Sequence, residues 1–177
     1  MRLLKILSLV SILTFFACVV HAKEGSSSAN LSKFATIKAS QVNARVGPGL
    51  QYPVCLLYTN KGEPVEIISE FNHWRQIKDF DGEKSWVHVS LLSRNRAIIV
   101  NSLKPVNLYA KPVYGAKVVG IVQPKVRCDF LNYCSQDFCK VKCAKYKGWL
   151  MRKDLWGIAP AEFSHTNKLL LYFKSLW

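Results

Sequence analysis

The sequence predicts an all-β protein of two small barrels packed together, following an N-terminal signal peptide. Three observations carry this. Residues 42–48 align with 106–112 and residues 74–77 with 138–141 at an offset of 64, and residues 86–92 align with 149–155 at 63. Self-similarity at this period means a duplicated small unit rather than one large domain. Between residues 34 and 157 no apolar run has helical spacing, while short apolar runs alternate with turn residues such as Asn60-Lys61-Gly62 and Asp81-Gly82.

The elements follow in chain order. Met1-Arg2-Leu3-Leu4-Lys5 is a short basic start, and residues 6–20 carry no charge. That run falls short of the roughly 20 residues a bilayer-spanning helix needs. With Ala22 at a cleavage position and polar residues after it, 1–22 reads as a removable signal peptide. An uncleaved anchor is the alternative. Lipid attachment at Cys18 fits poorly, because Phe15 and Phe16 precede it. Residues 23–33 read as a polar linker, 34–96 as the first barrel, 97–157 as the second and 158–177 as a tail.

Each unit is expected to hold about five short strands. The clearest are 64–68, 74–77 and the stretch from Trp86 in the first unit, and 117–122 and 139–143 in the second. Residues 97–100 suit either the end of the first barrel or the start of the second. A unit near 60 residues buries only about 60% of its unfolded surface, so the two barrels are expected to stabilise one another by packing. The tail ends in an apolar run from Leu169 to Phe173. Covering a barrel edge, pairing with a partner and lying on a membrane surface all stay open for it.

Charge narrows the partner. The chain holds 25 Lys and Arg against 11 Asp and Glu, a net of +14, with half its residues hydrophobic and 12% aromatic. It is too apolar for a disordered basic tail. Removing the signal takes Arg2 and Lys5 and lowers the net to +12. Secretion sets nucleic acid aside and leaves an anionic envelope polymer or lipid head group. Residues 34–94 hold seven basic and six acidic residues, whereas 97–157 hold eleven and three. In the second unit Lys140 and Lys142 alternate with Cys139, Val141 and Cys143. They are expected to project away from the cysteines and, with Lys145, Lys147, Arg152 and Lys153, to form an anion-facing cluster or simply a solvated face.

Five cysteines remain after processing. Cys128, Cys134, Cys139 and Cys143 lack the close pairs that structural zinc prefers, so no metal or cofactor is expected, and disulfides are the default in a secreted chain. Residues 135–138 suit a hairpin turn. With Cys128 and Cys134 sharing parity on one strand and Cys139 and Cys143 on the other, one face can carry Cys134–Cys139 and Cys128–Cys143. Cys55 is left over, either a half-buried thiol or an intermolecular bridge.

No catalytic constellation is present, neither a Cys–His arrangement nor a His-x-x-x-His helix nor a phosphate loop, so the chain is expected not to be an enzyme. The carboxylates of the first unit read as a solvated face. As ligand contacts, Asn43, Arg45, Tyr52, Trp74 and Trp86 are the candidates, exposed aromatics being good recognition platforms. Competing structural roles are a barrel-core position for Trp86 and Trp149, a backbone hydrogen bond for Asn43 and an acidic partner for Arg45. Gly47, Pro48 and Gly49 are expected to set unusual loop dihedrals.

The residues 42–49 (VNARVGPG), 62–67 (GEPVEI), 74–77 (WRQI) and Trp86-Val87 resemble a bacterial SH3 domain. The whole is similar to the tandem SH3-like periplasmic proteins of Gram-negative bacteria, alphaproteobacteria above all. In the second unit Gly148-Trp149-Leu150 and the ending Asp154-Leu155-Trp156-Gly157 share the resemblance, while Tyr109-Ala110-Lys111 replaces the Arg-x-Gly stretch. The resemblance implies SH3-like barrels in a secreted, periplasmic, non-catalytic module that binds peptidoglycan or another envelope component. The alternative is a protein–protein scaffold or the ligand-sensing part of an envelope complex.

Overall fold

The computed structural model describes residues 33–159. The expected signal peptide at 1–22, the expected linker apart from Lys33 and the expected tail from residue 160 lie outside the described residues. The first unit comprises β1 (Lys33–Ile37), β2 (Val42–Arg45), β3 (Val54–Tyr58), β4 (Pro64–Phe71), β5 (Trp74–Lys78), β6 (Lys84–His88) and β7 (Leu92–Ser93). The second comprises β8 (Ala97–Val100), β9 (Val106–Tyr109), β10 (Val118–Val122), β11 (Arg127–Cys134), β12 (Phe138–Cys143), β13 (Tyr146–Met151) and β14 (Leu155–Trp156).

Each unit is one antiparallel sheet of seven strands. The order is β3-β2-β6-β5-β4-β1-β7 in the first and, element for element, β10-β9-β13-β12-β11-β8-β14 in the second. Residues 97–100 open the second sheet, because β8 pairs with β11 and β14. Seven strands replace the five expected. The two-residue β7 and β14 each follow a single 3₁₀ turn, Val89–Leu91 and Arg152–Asp154, and are too short to show a period in sequence.

Each sheet curls around its own core. Ile37, Val42, Ala44, Val65, Ile77 and Val87 fill the first, all at 1% exposure or less. Ile98, Val100, Leu108, Phe130, Val141 and Leu150 fill the second. Both disulfides are formed, Cys128–Cys143 and Cys134–Cys139, joining β11 to β12. The pairing of β11 with β12 shifts between Phe130 and Cys134, where Asn132 adopts φ 54°. Ile158 packs against the second core and Ala159 is buried, so the first two residues of the presumed tail belong to this unit.

The units pack together. Trp156 lies edge-on to both Phe34 and Phe80, with ring centroids 5.2 and 5.6 Å away. Between the units, the Arg96 guanidinium stands 5.7 Å from the Phe34 ring centroid and 5.6 Å from that of Phe130, and it donates to the Gly157 carbonyl at 2.7 Å. Arg127 donates to the Lys61 carbonyl at 2.9 Å.

Candidate functional site

Alternation along β6 decides what the first unit presents. Ser85 and Val87 point inward, at 2% and 0% exposure, so Trp86 and His88 point out. The core reading of Trp86 is therefore wrong, and Trp149 departs in the same way, since Gly148 and Leu150 hold the inward positions on β13. Paired residues on antiparallel strands share a face. Trp86 pairs with Arg45 on one side and Gln76 on the other, and His88 pairs with Trp74. Asn43 is exposed two residues before Arg45, within β2 and not in a loop. Asn43, Arg45, Trp74 and Trp86 thus occupy one outer face.

Arg45 and Tyr52 hold the loop after β2. Arg45 Nη1 donates to the Tyr52 carbonyl at 2.7 Å instead of pairing with an acid. The Tyr52 ring covers Gly47 so closely that a Cβ there would sit 2.5 Å from it. Gly47 and Gly49 have no positive φ; close approach, not unusual dihedrals, explains Gly47. This loop faces the β4–β5 turn across a groove of about 600 Å³, lined by Pro48, Gly49, Leu50, Gln51, Asn72, His73, Trp74 and His88. The turn is held from beneath: Asn72 adopts φ 48°, and Arg75 donates to the carbonyls of Asn72 and Trp74, 2.9 Å each, while pairing with Glu70 at 3.3 Å.

Inside the groove Trp74 meets His88 edge-on at 5.6 Å, and His73 lies 5.9 Å from His88. The backbone N–H of Ser90 donates to His88 Nδ1 at 3.3 Å, and the Ser90 hydroxyl lies 2.7 Å from the same nitrogen. Donation to Nδ1 places the neutral ring's proton on Nε2. The site offers a flat aromatic wall, two imidazoles and the exposed Leu50, suited to holding a ligand with both apolar and polar parts. Of the predicted contacts only Trp74 lines it. Tyr52 and Arg45 shape it from behind, and Asn43 and Trp86 lie on the adjoining face. His73 and His88 were missed, although the alternation that places Trp86 outside places His88 outside too.

The basic residues of the second unit spread over two places. Lys140 is exposed, 5.8 Å above the Trp149 ring, and pairs with Trp149 across β12 and β13. Lys142 and Lys147 are also cross-strand partners, a like-charged pair that favours an anion nearby. Lys145 lies over Tyr146 at 5.3 Å. Arg152 and Lys153 sit apart from these, in the 3₁₀ turn after β13. Cys55 is exposed, not half-buried, its thiol 3.6 Å from the Ala44 carbonyl on the neighbouring strand. Nor is the acidic set uniformly solvated. Asp79 is buried, accepting from the Tyr58 hydroxyl at 3.3 Å and from the Glu83 N–H at 2.9 Å. Among the described residues no three His, Cys, Asp or Glu side chains cluster to hold a metal, and no helix is long and apolar enough to cross a membrane.

Comparison with known proteins gives one family: residues 38–94 match the bacterial SH3 domain. No curated protein matches the chain. Among solved structures, NlpC2 from Trichomonas vaginalis aligns at 16% identity over 73% of this chain and 49% of its own, with a TM-score of 0.34. NlpC1 from the same organism aligns at 18% identity over 73% and 47%, also at 0.34. An NlpC/P60 family protein from Bacillus cereus ATCC 10987 aligns at 14% over 70% and 56%, at 0.31. The chain spans about half the length of these proteins.

Proposed function

We propose, from the match of residues 38–94 to the bacterial SH3 domain, that the protein works outside the cytoplasm as a non-catalytic module that binds peptidoglycan through its stem peptides. The observation that carries the reading is the groove between the loop after β2 and the β4–β5 turn, where Trp74 and His88 form an aromatic wall of ligand-site size. Near-neutral charge in this unit favours recognition by shape and hydrogen bonding. The basic second unit adds a salt-sensitive attraction to an anionic envelope surface.

Retention of the processed chain on purified sacculi, measured as salt is raised, tests this. Binding that persists through high salt and is lost in Trp74→Ala supports it. No retention at low salt, or retention untouched by Trp74→Ala, overturns it. Release of soluble muropeptides would overturn the non-catalytic part.

A protein partner is the second reading, favoured by one surface. Edge strand β10 exposes Val118, Val119 and Ile121 beside a cavity of about 400 Å³ that Tyr146 also lines. An exposed apolar edge of this kind marks an interaction site. Crosslinking in cells that recovers one stoichiometric protein and no wall material would favour an envelope scaffold over wall binding.

A further inference from the structure

The repeat carries the groove into the second unit with different chemistry. Pro48 and Leu50 correspond to Pro112 and Tyr114, His73 and Trp74 to Asp137 and Phe138, and His88 to Met151. At those positions the structure holds a groove of about 500 Å³ between the loop after β9 and the β11–β12 turn. It adjoins a second hollow of about 320 Å³, reached past Tyr114 and Asp137 and closed by Met151, Arg152 and Lys153.

Phe138 is the buried floor, at 1% exposure, with Tyr114 edge-on to it at 5.2 Å. Tyr133, more than half exposed, lines the opposite side and braces against Trp149 at 5.6 Å. The wall carrying Cys134 is tied by the Cys134–Cys139 bridge, and the turn is fixed where the Ser135 N–H donates to the Phe138 carbonyl at 2.8 Å. Another backbone bond, from the Arg152 N–H to the Asp137 carbonyl at 2.8 Å, sets the basic turn against the groove. The Tyr114 hydroxyl is held above its ordinary range by desolvation and then by the neighbouring Asp137 carboxylate, to which it is hydrogen-bonded, so the two side chains fix each other at the groove's edge.

The rim is of mixed charge: the Asp137 carboxylate to accept N–H groups, the exposed Lys153 at one end to take an anion, and aromatic surface between them. A purely cationic ligand or a neutral glycan uses only part of this arrangement. A peptide end uses all of it, because its backbone N–H groups donate, its side chains cover the rings and its terminus is anionic.

We propose that this groove is a second binding site, for a short peptide ending in a free carboxylate, with the terminus at the exposed Lys153 and the chain lying over the exposed rings of Tyr114 and Tyr133. It is separate from the first groove, and the two stand or fall independently.

The test is an amide-shift NMR titration of the processed full chain with acetyl-Lys-Ala-Ala of L and of D configuration, each as the free acid and as the C-terminal amide. The expected result is that one of the acids shifts the signals of Gly115, Ser135 and Phe138, and its amide binds at least about threefold more weakly, the worth of one exposed charge contact. Tyr114→Ala and Lys153→Gln, both at exposed positions, weaken binding with the remaining spectrum unchanged, while Trp74→Ala leaves it intact. Equal binding of acid and amide, shifts confined to the first groove, or no shift at about 10 mM peptide overturns the proposal.

Discussion

Trp156, in the last strand of the second unit, meets Phe34, in the first strand of the first unit, edge to face at 5.2 Å. This contact joins the ends of the repeat, so the units should report on each other when unfolded. In a double-mutant cycle, Phe34→Ala and Trp156→Ala should couple by about 1 kcal/mol, the typical worth of such an aromatic pair. Trp156→Ala, which also loses Phe80, should turn a single thermal transition into two. A calorimetric scan of Trp156→Ala that keeps one transition, with additive single effects, would show that this contact is not what couples the units.

Divergence between the two cores makes a second prediction. Ala44 corresponds to Leu108, and Ser85 to Gly148. A Cβ on Gly148 would sit 2.6 Å from Leu108 Cγ and 2.8 Å from the Tyr109 carbonyl oxygen. A large residue on β9 thus goes with glycine on β13, and the smaller pair stands in the first unit. Gly148→Ala should destabilise by about 1–3 kcal/mol, as overpacking does. Adding Leu108→Ala should recover part of that loss, with a coupling of about 1 kcal/mol in chemical melts. Purely additive losses would refute the exchange.

These pairs also show how far the sequence reaches. The duplication, the all-β class and the cysteine hairpin were legible because repeat spacing, turn residues and strand parity are local signals. Which side of a strand faces inward was not. Trp86 looks like a core residue by type, yet the adjacent Val87 takes the inward position, and a one-residue change of parity exchanges the faces of the whole strand. The grooves were only half visible, because each is made by two turns about 25 residues apart, and His73 and His88 become neighbours only once β5 and β6 pair.

Tyr58 gives a pH dependence. Burial, foremost, and the nearby Asp79 carboxylate raise its phenol far above the ordinary value of about 10. The folded state therefore keeps the proton while the unfolded chain releases it. The resulting stability is complete below about pH 10 and is lost as pH climbs beyond that. Tyr58→Phe has nothing to ionise, so the stability gap between wild type and variant should narrow from pH 10 upward. Parallel stability curves through pH 12 would contradict this.

The two disulfides should separate stability from binding. Cys128–Cys143 spans 15 positions and Cys134–Cys139 spans five. By loop-closure entropy the longer bridge contributes about 3 kcal/mol and the shorter about 2 kcal/mol. Cys128, Cys143 and also Cys139 are core residues, at 2%, 8% and 0% exposure, so either alanine pair adds a packing loss that guanidinium melts should register, and the difference between the pairs rests on the longer loop. Cys134 instead lines the second groove, and its bridge closes the turn that presents Asp137 and Phe138. Replacing Cys134 and Cys139 with alanine should therefore cost less stability but more peptide affinity than replacing the other pair. If the Cys128 and Cys143 variant, at a temperature where it remains folded, loses as much affinity as the Cys134 and Cys139 variant, the short bridge has no particular part in shaping the groove.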